Sequence, residues 1–230
     1  MSPSVVLQLK SHKNKEDNDM KIKKFELSDT MVKTITARDG RKVTLHRIVM
    51  TDEYVDALEA EGKFVYFPEG GWVESEKNLS QNGYCWIEYD SMVYENARIR
   101  GNATIDGSRV YGNAMIKGDV ELVGSTVYDN AVISGSREVS DSIIYGNARI
   151  SGRNVVDGIK IFENAAISRN AVVHGDYSKL HGNIRITGNT YLSGKFDLSA
   201  DVEISGGTWE IHAKPNTIKS LPLQINKKGE

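Results

Sequence analysis

Five histidines are the groups in this chain best suited to move a proton near neutral pH: His12, His46, His174, His181 and His212. His174 and His181 stand apart because each directly follows an aliphatic residue, Val173 or Leu180, in a stretch of short periodic repeat. If the aliphatic residue points inward, the imidazole points outward. Between the two lies "HGDYSKLHG", where the repeat slips by one or two residues and a loop could bulge. An outward imidazole beside a bulge is the best place in the sequence for a general base. The competing reading, two solvated surface histidines, is the one the sequence favours.

Other chemistries find less support. The single cysteine, Cys85, and the scattered histidines lack metal-ligand spacing, so no metal is expected. A lone cysteine also excludes an intrachain disulfide framework and fits a reducing cytoplasm. Arg98, Arg100, Lys117, Arg149 and Arg153 are interspersed with Asp106, Glu121 and Asp129, which reads as a mixed solvated surface. The net charge of −2 gives no drive towards nucleic acid, and no apolar run is long enough for a membrane helix. No glycine-rich phosphate cradle stands out.

The elements that would carry the histidines come from an internal repeat. "VYENARIRGNATI", residues 93–105, places an aliphatic residue every six positions. The series continues through 110, 116 and 122, then 127, 133 and 139, so every third step is five residues and the true unit is 17. Val93, Val110, Val127, Ile144 and Ile161 form one column; Asn96, Asn113, Asn130, Asn147 and Asn164 form another, read as a structural amide ladder. Ala97, Ala114, Ala131, Ala148 and Ala165 form a third, and Gly101, Gly118, Gly135 and Gly152 mark a corner. After His174 the series resumes at Leu180, Ile186, Leu192, Leu198 and Ile204. The expectation is an all-β fold: a triangular parallel β-solenoid of about seven coils of 17–18 residues over 93–211. A single coil buries too little to offset its ordering entropy, so the ends need caps.

A small α+β cap is expected over 20–92, with a flexible extension at 1–19 and a tail at 212–230 broken by Pro215 and Pro222. Asp39-Gly40 sits mid-hairpin and predicts a type I′ turn. "TDEYVDALEAEG" predicts a short helix with Thr51 as N-cap and Gly62 as stop. Gly70-Gly71-Trp72 reads as a turn. Trp72 and Trp86 are expected to lie over the open end of the solenoid, and Trp209 and Ile211 to close the other.

Tyr94, Tyr111, Tyr128, Tyr145 and Phe162 each follow an inward residue and so form an outward aromatic stripe with rungs ~4.8 Å apart. Such a stripe fits either self-stacking or an interface, whether between subunits, with a sugar or with another protein.

The run of aliphatic, any residue, Glu or Gly, Asn, Ala, any residue resembles the hexapeptide repeat of left-handed β-helix proteins, many of them trimeric acyltransferases. The left hand is implied by that resemblance, since crossovers generally favour the right. Gly70-Gly71-Trp72-Val73, Asn78-Leu79-Ser80, Gly83 and Cys85-Trp86-Ile87, ahead of the repeats, resemble YdcK-like proteins of enterobacteria and their phages, over roughly residues 22 to 175. The resemblance implies a histidine base in a cleft between subunits. Two functions follow as expectations. The first is a non-catalytic, oligomeric interaction module, a trimer in preference, with no cofactor and a host protein, for instance of a defence system, as partner. The alternative is an acetyl-CoA-dependent acyltransferase with His174 or His181 as base.

Overall fold

The computed structural model describes residues 22–199 and 201–212. The extension at 1–19, His12, the side chain of His212 and the proline-broken tail lie outside the described residues.

The 17-residue period becomes three columns of parallel pairing. Val73, Val93, Val110, Val127, Ile144, Ile161, Leu180 and Leu198 stack down one side. Leu79, Ile99, Ile116, Ile133, Ile150, Ile167, Ile186 and Ile204 stack down the second. Ile87, Ile105, Leu122, Val139, Val156, Val173, Leu192 and Trp209 form the third. Each column has eight members, so the protein is a β-solenoid of about eight turns with a small N-terminal region containing one helix. Apart from Trp209, which is partly buried, these side chains are excluded from solvent and form one continuous core. The ladder begins one coil earlier than the repeat from Val93 suggests. That coil runs Val73, Leu79, Ile87 before reaching Val93 and carries extra residues that break the period.

The five-residue side is closed by a buried serine ladder that also serves the six-residue side ahead of Val93. Ser91, Ser108, Ser125 and Ser142 are buried at its corner. Each hydroxyl takes the backbone N–H of the next rung: Ser108 N to Ser91 Oγ at 3.2 Å, Ser125 N to Ser108 Oγ at 2.9 Å, Ser142 N to Ser125 Oγ at 3.0 Å. A small polar side chain does there the work of a backbone turn. The register slip is also resolved: Asp157 pairs with His174 and Ile159 with Ser178, so Gly158 faces the three residues 175–177. The bulge exposes Tyr177, which takes φ 55°.

Two strands, β1 (Phe25–Thr36) and β2 (Lys42–Met50), form the N-terminal hairpin, followed by helix α1 (Asp52–Ala60) and strand β3 (Glu69–Val73). Thr51 caps α1 by accepting the Tyr54 N–H, and Gly62 follows its end at φ 78°. The hairpin turn differs from the expected type I′. Ala37 O accepts the Gly40 N–H at 3.0 Å and Ala37 N donates to Arg41 O at 2.8 Å. Only Gly40 has positive φ, at 85°. This is a three-residue loop, a type I turn closed by a glycine bulge, and it brings Arg38 and Arg41 to the tip.

β3 is the joint between cap and solenoid, antiparallel to β2 and parallel to Met92–Val93. Gly70 and Gly71 belong to this strand rather than to a turn. A Cβ on Gly71 would stand 2.4 Å from Ile87 Cγ2 and 2.5 Å from Glu88 O, so close approach demands glycine here. Trp86 packs against the solenoid core near Gly70 and Ile48, with Phe25 and Ile48 buried in the same cluster. Trp72 lies elsewhere, in a second cluster beneath the hairpin with Val43, Leu45 and Tyr94, and the Arg47 guanidinium sits 4.3 Å from its ring centre. Lys24 is buried at the capped end, donating to Cys85 O at 2.8 Å; burial pushes its ammonium below the usual lysine range.

Candidate functional site

The two candidate histidines sit on different sides of the solenoid. His181 follows Leu180 in the first column, and His174 follows Val173 in the third.

His181 is absorbed into the aromatic stripe. Tyr94, Tyr111, Tyr128, Tyr145 and Phe162 stack with ring centres 4.9–5.1 Å apart and interplanar angles of 8° or less. His181 is the next member, 4.6 Å beyond Phe162 and 7° from parallel. The 19-residue step from Phe162 to His181 hid this membership in the sequence. Each inner ring turns both faces to its neighbours, which leaves edges and hydroxyls outward. His181 Nε2 meets Asp197 Oδ1 at 2.9 Å, and its Nδ1 lies 3.6 Å from Glu163 Oε2. Burial alone would raise the Asp197 carboxyl, but hydrogen bonds from Lys179 and His181 hold it below the usual carboxylate range. Asp197 occupies Nε2 and Glu163 faces Nδ1, so neither nitrogen of His181 stands open to a substrate.

The upper part of the stripe is covered by the chain itself. Tyr94 is buried beneath the hairpin with Val43 and Leu45, and Tyr111 packs against the same cluster. The Arg38 guanidinium lies 5.1 Å from the Tyr128 ring centre and 3.6 Å from Asp129 Oδ1. Tyr145 and Phe162 are half-exposed, with no hairpin residue against their rings among the described contacts.

Beside the stripe runs a corner of left-handed backbone: Glu95, Gly112, Asp129, Gly146, Glu163 and Gly182, all at φ between 56° and 71°. Acid alternates with glycine. Each acid accepts the N–H of the following glycine: Gly112 N to Glu95 Oε2 at 2.7 Å, Gly146 N to Asp129 Oδ2 at 3.2 Å, Gly182 N to Glu163 Oε2 at 2.6 Å. These bonds offset the strain of placing a side chain in that region. The adjoining asparagines form the expected ladder, Asn96 to Asn113 at 3.1 Å and onward through Asn130, Asn147, Asn164 and Asn183. An open cleft of about 680 Å³ separates this corner from the hairpin tip, lined by Asp39, Arg41, Glu74, Lys77, Glu95 and Arg98 among others.

His174 has different surroundings. Asp157 precedes it in the column and Ser193 follows it. Asp157 Oδ2 lies 3.6 Å from His174 Nδ1, and the other Asp157 oxygen accepts the Ser140 hydroxyl at 3.1 Å. The imidazole is 42% exposed. Its Nε2 has no hydrogen-bond partner among the described residues. The Tyr191 ring stands 6.0 Å away, tilted by 55°, and the 175–177 bulge follows directly. Arg153 and Arg169 lie at the corner ahead of the strands that carry Asp157 and His174, Arg169 as the last residue of the preceding strand, and both are exposed with no ion pair among the described residues. These arginines are the groups on this side that could take phosphates of a nucleotide-bearing acyl donor. Asp157 and the arginines carry no motif that singles them out in the sequence; only the column alignment places Asp157 beside His174.

No family model matches the chain. Over 90 residues it is 29% identical to a protein of Escherichia coli (strain K12) named "Uncharacterized acetyltransferase YdcK". The match takes in 38% of this chain and spans about a quarter of the relative, 26% of its length. The chain is thus a distant homologue of that protein, with a solenoid that accords with a hexapeptide repeat.

Proposed function

We propose that the chain is an acyltransferase-type β-solenoid, taking acetyl-CoA or a related thioester as donor, with His174 as general base. The observation that carries this reading is the Asp157–His174 pair, half-exposed beside the 175–177 bulge and with Nε2 open. Asp157 favours the proton on Nδ1, which leaves the Nε2 lone pair to take a proton from an acceptor hydroxyl or amine. The acceptor then attacks the thioester carbonyl, the C–S bond breaks, and the thiolate leaves with the proton from His174. At 3.6 Å the carboxylate contact is looser than a hydrogen bond, and it tightens when the site is loaded. The name of the homologue supports the same reaction class. The side is open to solvent, so a neighbouring copy would wall it, and a trimer is the assembly the repeat resemblance suggests. Calorimetry with acetyl-CoA on wild type, His174→Ala and Asp157→Asn tests the reading. Saturable binding with transfer activity lost in His174→Ala is expected; no binding at roughly millimolar cofactor sinks it.

The uncovered part of the aromatic stripe favours a second reading, a rod that binds a host protein without catalysis. A partner held at Tyr145 and Phe162, in a protein that neither binds nor turns over acetyl-CoA, would select it.

A further inference from the structure

Four acids serve the left-handed corner, Glu74 from the strand beside it and Glu95, Asp129 and Glu163 within it, and three of them share one arrangement. Glu74 gives Oε2 to the Glu95 N–H at 2.6 Å and Oε1 to Arg41 at 3.3 Å. Glu95 gives Oε2 to the Gly112 N–H and Oε1 to Arg41 at 3.6 Å. Asp129 gives Oδ2 to the Gly146 N–H and Oδ1 to Arg38 at 3.6 Å. In each case one oxygen fastens the next rung and the other holds a hairpin arginine. The fourth acid, Glu163, gives Oε2 to the Gly182 N–H at 2.6 Å, and His181 approaches that same oxygen. Its Oε1 has no partner among the described residues, and its side chain is 54% exposed. The ring before it in sequence is Phe162, as Tyr128 precedes Asp129, and Tyr145 stacks on Phe162 as Tyr111 stacks on Tyr128. Two rungs further along, the solenoid therefore repeats the surface on which Arg38 is seated.

We propose that Glu163, with Tyr145 and Phe162 beside it, is a docking position for an arginine borne on an extended segment or hairpin of another protein. The chain's own hairpin shows the mode: guanidinium against ring, charge against the outer carboxylate oxygen. Charge complementarity, repeated at three occupied positions, selects arginine over an apolar partner. A guanidinium offers several donors in a planar fork, one to the carboxylate while its plane lies along the ring edges, which a lysine ammonium does less well. The position is remote in the columns from His174, so it deepens the interaction reading and is independent of acyl transfer.

The probe is a fluorescent, backbone-cyclised peptide of residues 34–44, which presents Arg38 and Arg41 as the hairpin does. Anisotropy titrations with the full chain at low salt should show binding that weakens about three- to tenfold in Glu163→Gln and with Ala in place of Arg38 in the peptide. Gln keeps an oxygen for the Gly182 N–H, so this variant retains its fold. Asp129→Asn should leave the affinity unchanged, and Glu163→Gln should leave acetyl-CoA binding unchanged. No binding at roughly millimolar peptide overturns the proposal. So does equal affinity for Glu163→Gln, or loss in Asp129→Asn instead, which would mean that the peptide only displaces the native hairpin. Self-association of wild type that vanishes in Glu163→Gln would give the position to a second copy and likewise overturn it.

Discussion

The two sides that carry His174 and His181 are built from the same repeat, yet they use imidazole in opposite ways. At His181 a ring covers one face and a carboxylate stands at each nitrogen. At His174 one carboxylate stands at Nδ1, the nearest ring is tilted away, and Nε2 is open. The difference teaches that an outward position on a solenoid does not fix a role. What decides is the residue one rung away: Phe162 before His181, Asp157 before His174.

The sharpest way to break that comparison is kinetic. His174→Ala should lower acetyl transfer by ~10²–10⁴-fold, while His181→Ala should stay within about twofold, read by release of free thiol. An equal fall in both would erase the distinction. Within the stripe, covered and open rings should separate in urea denaturation. Tyr94→Ala should cost ~3 kcal/mol because the ring is buried beneath the hairpin, and Tyr145→Ala ~1 kcal/mol or less. Alkaline pH probes the same contrast. Burial, with Tyr111 and Glu95 adding to it, pushes the Tyr94 phenol up to about 12. A folded value above the unfolded value of ~10 means that the native state holds the proton longer. The stability it contributes is complete below pH ~10 and falls as pH rises towards 12. Lys24 acts with the opposite sign at lower pH, since its lowered value makes stability rise towards its ordinary 10.5. Denaturation midpoints across this range should fall less steeply in Tyr94→Phe. The smallest effect is at the exposed acid: Glu163→Gln should shift stability by less than ~0.5 kcal/mol, although it weakens arginine binding.

Much of the fold is legible in the residues, because stacking forces like over like. The Val93, Asn96 and Ala97 columns state the register, and the extra residues at "GDY" announce the bulge. The first coil escapes because Leu79 to Ile87 is an eight-residue step with no Asn-Ala signal. His181 escapes as a stack member because the bulge shifts it out of the 17-residue count. The alternation of Glu95, Gly112, Asp129, Gly146 and Glu163 has a period of 34 and is invisible to a search at 17. The docking of Arg38 on Tyr128 joins segments far apart in sequence, and nothing local encodes it. The candidate site is legible only as His174; its carboxylate partner requires the alignment of rungs.

That 34-residue alternation also sets how the molecule can be shortened. Excising one coil, residues 112–128, would set Asp129 directly after Glu95, two acids on neighbouring rungs ~4.8 Å apart. The first would then face a residue with a side chain where it now faces Gly112. Excising two coils, residues 112–145, would bring Gly146 to that place and restore the acid-over-glycine order. The aliphatic interior would accept either cut, since every rung offers it the same shape. A two-coil cut therefore keeps the order of the corner, whereas a one-coil cut sets carboxylate beside carboxylate, as at Glu74 and Glu95, where Arg41 lies against both.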